Sequence, residues 1–597
     1  MVGGVTERWQ GCGVDVTASE AIESLRRAGV GRGDLVGLAV APGVGLGLAV
    51  TSNETIVVGE RTDPGQLVST IDAELGPRWV MWSSDTAVAL VDMGVRVTRS
   101  WDLVAVHRLI EGGWRADPAR VWAAAQGLPT DEIPSERPHD LFSQDGSPGD
   151  PDDPVDPDGH LRPEWVGGGW AASATRLGRW AVLARAAADL QRNVLDAMSD
   201  RPTAVATARS ESAAELLCVE LAADGLPVDR RVGAGLIEGF VGPRPENDDQ
   251  AAAELRRRQA DVLRHAPPGS DFDLRSPAQV KSLLRRVGVE VPDTRAHRLE
   301  SLRGTHPIIE PLLAFRKAER INTTYGYAWL DEHVGDDGRL RGSWTGCDGA
   351  AGRMTASSGL HNLPTDLRAA VVAEPGHVFV RADLGQIEPR VLASVSGDRD
   401  LARACQADDL YAPVAQQLGV DRATAKVAVL GAMYGQTTGR GAEALSRLES
   451  TYPVAMGYLN AAAHEAEAGR DLRTYGGRLV RMGPTAVDGR SEREVRSASA
   501  ARGRYGRNAM VQGAAAELFK VWAVTVRARG SALDARIVLC LHDELLVHVP
   551  EENGEAAARL VDDCLVEAAH RWAPDRSVRF LADTVVVRRW SDAKDPA

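Results

Sequence analysis

Apolar positions change their period along this chain, and the changes divide it. From residue 35 to about 98, short apolar runs alternate with Gly, Pro and polar breaks. Residues 35–41, 47–51 and 55–59 read as strands, with 79–82 and 95–98 as further ones, and helical spacing marks 19–28 and 64–75. This is a small α/β unit ending near residue 128. Residues 129–169 have no apolar period and are rich in Pro, Gly and Asp, which predicts a disordered linker or long loop. Helical spacing resumes over 170–200 and returns over 211–224, 251–265 and 276–286; residues 397–500 are mostly helical. No period of 20–50 residues repeats, so the chain is not a solenoid.

Three stretches break these patterns in ways that suggest chemistry. Residues 378–384 alternate as a strand that carries Asp383 at its end; Gln386, Glu388 and Arg390 follow on the first turn of a helix, where Pro389 is tolerated. A carboxylate at a strand end before a helix start suits a metal and phosphate site. Alone, the stretch reads better as a solvated loop. Residues 537–549 then form two apolar strands meeting at His542-Asp543-Glu544. Apolar strands seldom meet at an acidic pair unless the tip has a task. Between these stretches, Arg422, Lys426, Leu430 and Tyr434 are spaced by four and rise along one helix face. The two cations lie toward the N-terminal end, where the helix dipole favours phosphate. A basic solvent face is the bland alternative, but plain surface helices avoid residues such as Gly431 and Gly435.

Bulk composition narrows the picture. A length of 597 residues suggests several domains, and 44% apolar residues leave ample core. The net charge of −14 argues against a protein that coats DNA indiscriminately, although residues 129–160 alone hold ten acids and one Arg, for −9. Only five of the 69 basic residues are Lys (281, 317, 426, 520 and 594), which fits a GC-rich genome and makes Lys426 informative. The six Cys, at 12, 218, 347, 405, 540 and 564, show no metal-ligand spacing, so reduced intracellular thiols are expected. The apolar run 35–50 is too short and too rich in Gly and Pro to span a bilayer and lacks a signal-peptide layout. A cytoplasmic protein with no membrane partner is expected.

Asp383-Leu384-Gly385-Gln386-Ile387-Glu388-Pro389-Arg390 resembles motif A of DNA polymerase family A, usually D-Y-S-Q-I-E-L-R. Residues 422–435 resemble its motif B, and His542-Asp543-Glu544 its motif C, in the family's order. Gly352-Arg353-Met354-Thr355 and 359–364 are similar to two further palm motifs, and Arg507-Asn508-Ala509-Met510-Val511-Gln512 to the helix before motif C. The likeness runs from about residue 200 to the C-terminus. It implies an α/β multidomain protein: a right-hand polymerase of palm, fingers and thumb, preceded by an RNase H-like 3′→5′ exonuclease-like domain. The implied divisions are 1–200 for that domain, with the 129–169 linker or loop inside it, then 201–300 thumb, 301–396 palm, 397–500 fingers and 501–597 palm again. No 5′-nuclease domain is expected. Similar stand-alone proteins occur in actinobacteria and in phages that infect them.

The resemblance also implies a chemistry. Two Mg²⁺ ions, with Mn²⁺ as a substitute, would lie about 3.5–4 Å apart. Asp383, Asp543 and the Leu384 carbonyl would hold them, with Glu544 as a supporting acid. Arg422 and Lys426 would bind the dNTP triphosphate, Leu430 and Tyr434 would meet its base and sugar, and Gln386 would line the same site. Glu388 would be the gate that excludes a ribose 2′-hydroxyl. Arg353, Asn508, Gln512, His542 and Arg507 would contact primer–template DNA. The expected protein is a monomeric DNA-directed DNA polymerase acting at the nucleoid in replication or repair. Arg256, Arg257, Arg258, Arg264, Lys281, Arg285 and Arg286 suit phosphate contacts of the thumb.

The departures matter as much. Proofreading needs four carboxylates in set patterns, and they are missing: Asp15 is followed by Val16-Thr17, all eight Tyr lie beyond residue 320, and His107 and His160 are followed four residues on by Glu, not Asp. Asp102 is the one candidate central Asp. An exonuclease-like domain without proofreading is expected. Leu430 stands where the family has Phe or Tyr, which predicts poor use of dideoxynucleotides. The rivals are a bifunctional exonuclease/polymerase, a non-catalytic primer–template-binding protein, and a single-subunit RNA polymerase, against which Glu388 and His542-Asp543-Glu544 argue.

Overall fold

A computed structural model describes residues 17–51, 54–59, 62–135, 150, 152–268, 272–435, 442–483, 491–574 and 578–594. Cys12, Asp15 and Val16 lie outside the described residues, as do 136–149 and 151 of the acid-rich stretch. The chain groups into two compact units. One comprises Met1–Ala223, Trp344–Thr355 and Val380–Val585; the other comprises Asp224–Ser343, Ala356–Phe379 and Val586–Ala597.

The first unit opens with a five-stranded sheet in the order Thr55–Val58, Gly45–Ala49, Leu35–Ala41, Arg78–Met81, Ser100–Asp102. The first three strands pair antiparallel, and the last two run parallel to Leu35–Ala41. Leu35–Ala41 is buried throughout, so both faces of the sheet are covered. Val36, Leu38 and Val40 join one apolar core with Leu25, Leu67 and Ile71; Leu35, Ala39 and Ala41 join another built on helix Ala174–Asp196. The strand glycines set how close that helix comes. A Cβ on Gly37 would lie 2.2 Å from the Ala181 carbonyl oxygen, and one on Gly47 would lie 2.4 Å from the Leu177 carbonyl.

Two expectations here need correction. The strand placed at 95–98 is instead Ser100–Asp102; Val95 and Val97 are buried in the approach to it, so an apolar run was mistaken for a paired one. The acid-rich stretch is not a free linker where it is described. Leu161 and Trp165 are buried, Pro163–Val166 is helical, and the Trp165 and Trp170 rings lie 6.3 and 6.2 Å from that of Trp180. Two tryptophan anchors outweigh a polar average.

A four-stranded sheet, most of it in this unit, has the order Arg536–Leu541, Glu544–Pro550, His377–Leu384, Ala582–Val587. Helices Arg399–Ala404, Tyr411–Leu418, Arg422–Tyr434, Ala442–Thr451 and Pro453–Glu467 precede one 39-residue helix, Glu492–Gly530. At 1.5 Å per residue that helix is about 58 Å long. The division expected at residue 500 falls inside it. Gly503 and Gly506 let Pro453–Glu467 cross it closely; a Cβ on Gly506 would lie 2.5 Å from the Ala466 Cβ. Its C-terminal half is tied to helix Ala204–Asp224 by Lys520 Nζ to Glu211 at 2.6 Å and by Arg527 to Glu220 at 2.6 Å. Ala204–Asp224 thus packs within the first unit, although the thumb was expected from residue 201.

The second unit is mainly helical: Asp248–Leu263, Pro277–Arg286 and Ile309–Tyr325 share a core with Leu283, Leu299, Leu312 and Phe315, and Arg230–Val241 is a further helix. Arg258 is sequestered against Glu319 at 2.9 Å, whereas Arg256 and Arg285 are exposed. Among the described residues no helix is long and apolar enough to cross a membrane.

Candidate active site

Every side chain of the site lies in the first unit. Strand His377–Leu384 sits between Glu544–Pro550 and Ala582–Val587. The Leu384 amide donates to the Asp543 carbonyl at 2.9 Å, so the backbone itself brings Asp383-Leu384 beside Asp543. Asp543 belongs to the two-residue connection, His542-Asp543, that joins the paired residues Leu541 and Glu544. His542 adopts φ 54°, a left-handed conformation that few side chains accept, and it is exposed at this tip. Burial first, and then the Asp383 charge, push the Asp543 carboxyl up to about 6.

The turn after the strand also bends through a left-handed residue, Gln386 at φ 56°. Helix Ile387–Ser396 begins there without a side-chain cap. Arg390 ties the turn down. It is fully buried and donates to the carbonyls of Gly385, Cys405, Ala407, Asp408 and Arg579 at 2.6–3.1 Å. Gln386 donates to Asp409 at 2.8 Å and accepts from the Leu410 amide at 2.9 Å.

Helix Arg422–Tyr434 carries the four-spaced face as expected, capped by Asp421. Arg422 pairs with Asp409, Nε to Oδ2 at 2.5 Å, and that guanidinium holds the Asp409 carboxyl below the usual range. Lys426 is exposed one turn on, and Leu430 is half-buried. Tyr434 donates its hydroxyl to Glu388 Oε2 at 2.7 Å, and Arg353 Nη2 donates to Glu388 Oε1 at 3.2 Å. Glu388 is thereby held at both oxygens. Burial, then the bond to Glu388, push the Tyr434 hydroxyl up to about 12.

On helix Glu492–Gly530, Asn508 and Gln512 lie one turn apart and half-buried. Asn508 Oδ1 and Arg507 Nε are buried and find no hydrogen-bond partner among the described residues, so both have bonding capacity to offer a ligand.

The structure adds residues that the pattern reading passed over. Arg381, 3% exposed, donates to Glu544 Oε1 at 2.8 Å, to Asp583 Oδ2 at 3.2 Å and to Asp383 Oδ2. Asp409 bridges Arg422 and Gln386. A charged residue within the otherwise apolar run 378–382 was the available signal for Arg381, since a buried charge needs partners. Asp383, Asp543 and the Leu384 carbonyl offer only oxygen donors at a strand end and the neighbouring hairpin tip, a donor set that fits hard divalent cations.

A profile of DNA polymerase family A matches residues 245–592. The chain is 30% identical over 354 residues to the thermostable DNA polymerase I of Thermus aquaticus, covering 53% of this chain and 42% of that protein. It is 31% identical over 370 residues to DNA polymerase I of Chloroflexus aurantiacus, covering 53% and 38%. It therefore spans less than half the length of these relatives. A solved structure of the POL domain of Pol1 from M. smegmatis, in complex with DNA primer–template and dNTP, shares the fold with a TM-score of 0.66 at 22% identity, over 97% of this chain and all of that one.

Proposed function

This chain belongs to DNA polymerase family A, and from that premise we propose that it is a DNA-directed DNA polymerase that adds dNTPs to a primer 3′-hydroxyl. The observation that carries the reading is the Leu384 amide bond to the Asp543 carbonyl, which brings the strand-end Asp383 beside Asp543 at the hairpin tip. Two divalent cations, Mg²⁺ with Mn²⁺ as a substitute, would be held by Asp383, Asp543 and the Leu384 carbonyl and would supply charge neutralisation at the reacting oxygens.

The chain's own residues do the rest. Arg422 and Lys426 bind the triphosphate, Arg as a fork and Lys as a point charge. Arg422 leaves Asp409 to do so. Leu430 gives the base apolar contact. Glu388, held by Tyr434 and Arg353, fills the space of a ribose 2′-hydroxyl and so selects deoxynucleotides. Gln386 braces that wall through Asp409. Arg353 reaches the primer terminus; Asn508 and Gln512 read the minor groove; His542 and Arg507 hold the duplex; Glu544 supports Asp383 through Arg381.

The helices from Arg399 to Glu467 serve as fingers, the helices from Arg230 to Arg286 as thumb, and the four-stranded sheet as the palm. In the N-terminal sheet, a meander of three strands extended by two parallel ones supports an RNase H-like, exonuclease-like domain. Asp102 caps a helix there with a bond to the Ala105 amide at 2.8 Å, which supports a domain without proofreading. The preference for Arg over Lys supports an actinobacterial or actinophage origin. The protein acts as a monomer at the nucleoid.

Primer extension on a recessed DNA template with Mg²⁺ and four dNTPs, run beside Asp543→Asn, tests this. Extension by the native chain alone is expected, with a mismatched 3′ end left intact when dNTPs are withheld. No extension would turn the reading toward a DNA-binding protein. Shortening of the mismatched primer would restore proofreading.

A further inference from the structure

Arg381 precedes Asp383 by two residues on one strand, so both side chains leave the same face. Its guanidinium is buried and meets acids from three strands: Asp383, Glu544 and Asp583. With Asp543, four carboxylates crowd this end of the sheet. Glu544 is 5% exposed and cannot turn to water, whereas Asp583 is 73% exposed. An arginine keeps its charge in such a setting and reaches several acids at once because its donors form a rigid fork.

Resting on the polymerase reading above, we infer that Arg381 is a positioning residue and the resident counter-charge of this site. It bonds Asp383 at Oδ2 and holds Glu544 in place. Its positive charge lowers the affinity of the acids for divalent cations. Firm cation binding then waits for the triphosphate, which brings its own negative charge. The arrangement links cation loading to nucleotide arrival, and it keeps the four acids from repelling one another in the meantime.

The test is Mn²⁺ binding by the full chain, read from the electron paramagnetic resonance of free Mn²⁺, with and without one dNTP. The proteins are the native chain, Arg381→Gln, Arg381→Lys and Asp543→Asn. Without nucleotide, Arg381→Gln is expected to bind Mn²⁺ about tenfold more tightly than the native chain, because a nearby positive charge is gone. The tightening of Mn²⁺ binding by dNTP should shrink in that variant. Arg381→Lys keeps the charge and should bind within about twofold of the native chain. Folded Arg381→Gln with unchanged or weaker binding would overturn the inference. If that variant does not fold, Arg381→Lys decides: a tenfold weakening would mean that only the fork geometry matters and that the counter-charge role is wrong. Asp543→Asn keeps the two readings separate. If it binds Mn²⁺ as the native chain does, the cation-site reading fails first. If it loses binding while Arg381→Gln matches the native chain, only the Arg381 inference fails.

Discussion

Asp102 and Asp383 stand in the same local grammar: an aspartate at a strand end, with a helix to follow. Their fates differ because of spacing. Strand Ser100–Asp102 runs straight into helix Leu103–Glu111, so the Asp102 carboxylate folds back onto the Ala105 amide as its cap. Its own amide is held by Ser212 Oγ at 3.0 Å, and the residue is 3% exposed. Burial, and then the charge of Glu215, push that carboxyl well above the usual range. Three residues separate Asp383 from the helix at Ile387, and the left-handed Gln386 turns the chain. That helix starts after Gln386 without a side-chain cap, and the Asp383 side chain stays 32% exposed. A helix that begins right after an acid takes the acid as its cap; a short turn carries Asp383 to Arg381 instead.

The largest expected effect is catalytic. Asp383→Asn should lower primer extension by at least about 10³-fold, ~4 kcal/mol of barrier, while Asp102→Asn extends at the native rate. Equal losses in single-turnover extension would erase the contrast. The next effect concerns the gate. Glu388→Ala should raise ribonucleotide incorporation relative to dNTP on the order of 10²-fold, read from competing incorporation. A smaller gain follows from Leu430→Tyr, which restores a ring at the base-facing position and should improve dideoxynucleotide use about three- to tenfold. Unchanged chain termination would remove Leu430 from the site.

The smallest effect is on stability, and it sharpens the contrast from the other side. Both Asp102 and Asp543 have folded-state pKa values raised above the unfolded value of about 3.9. Each contributes stability that is fully present below that value and is lost as pH rises through the folded value, which is about 6 for Asp543. Without divalent cations, Asp102→Asn and Asp543→Asn should therefore both raise Tm at pH 8, by about 1–3 °C, with little difference at pH 4. Asn also caps a helix about as well as Asp. Added Mg²⁺ should close the gap between the native chain and Asp543→Asn but not that for Asp102→Asn.

The stretches that carry the candidate site were legible as elements because their information is local. A strand ending in Asp383, a four-spaced helix face and an acidic tip between apolar strands each occupy a dozen residues or so, and the helix Arg422–Tyr434 came out as its spacing predicts. Arg381 was hidden because its partners lie 163 and 202 residues away, and periodicity carries no record of such pairings. Asp409 escaped for a related reason: it belongs to no repeating face and gains meaning only when Arg422 and Gln386 arrive. The strand at 95–98 was misplaced because an apolar run need not pair, and the polar reading of 129–169 missed its anchors. Composition averages over positions, whereas Trp101, Trp165 and Trp170 act singly.

Helix Glu492–Gly530 also sets where this chain can change length. It holds Gly506 at a close crossing, Asn508 and Gln512 one turn apart, and Lys520 and Arg527 on their glutamates, all on a single residue count. One residue inserted between Gly506 and Lys520 would rotate everything beyond it by about 100° and shift it by about 1.5 Å, leaving Lys520 stranded in apolar surroundings. Insertions are therefore not tolerable between Gly506 and Lys520, so any lineage that changes the length of this region must do it outside that interval.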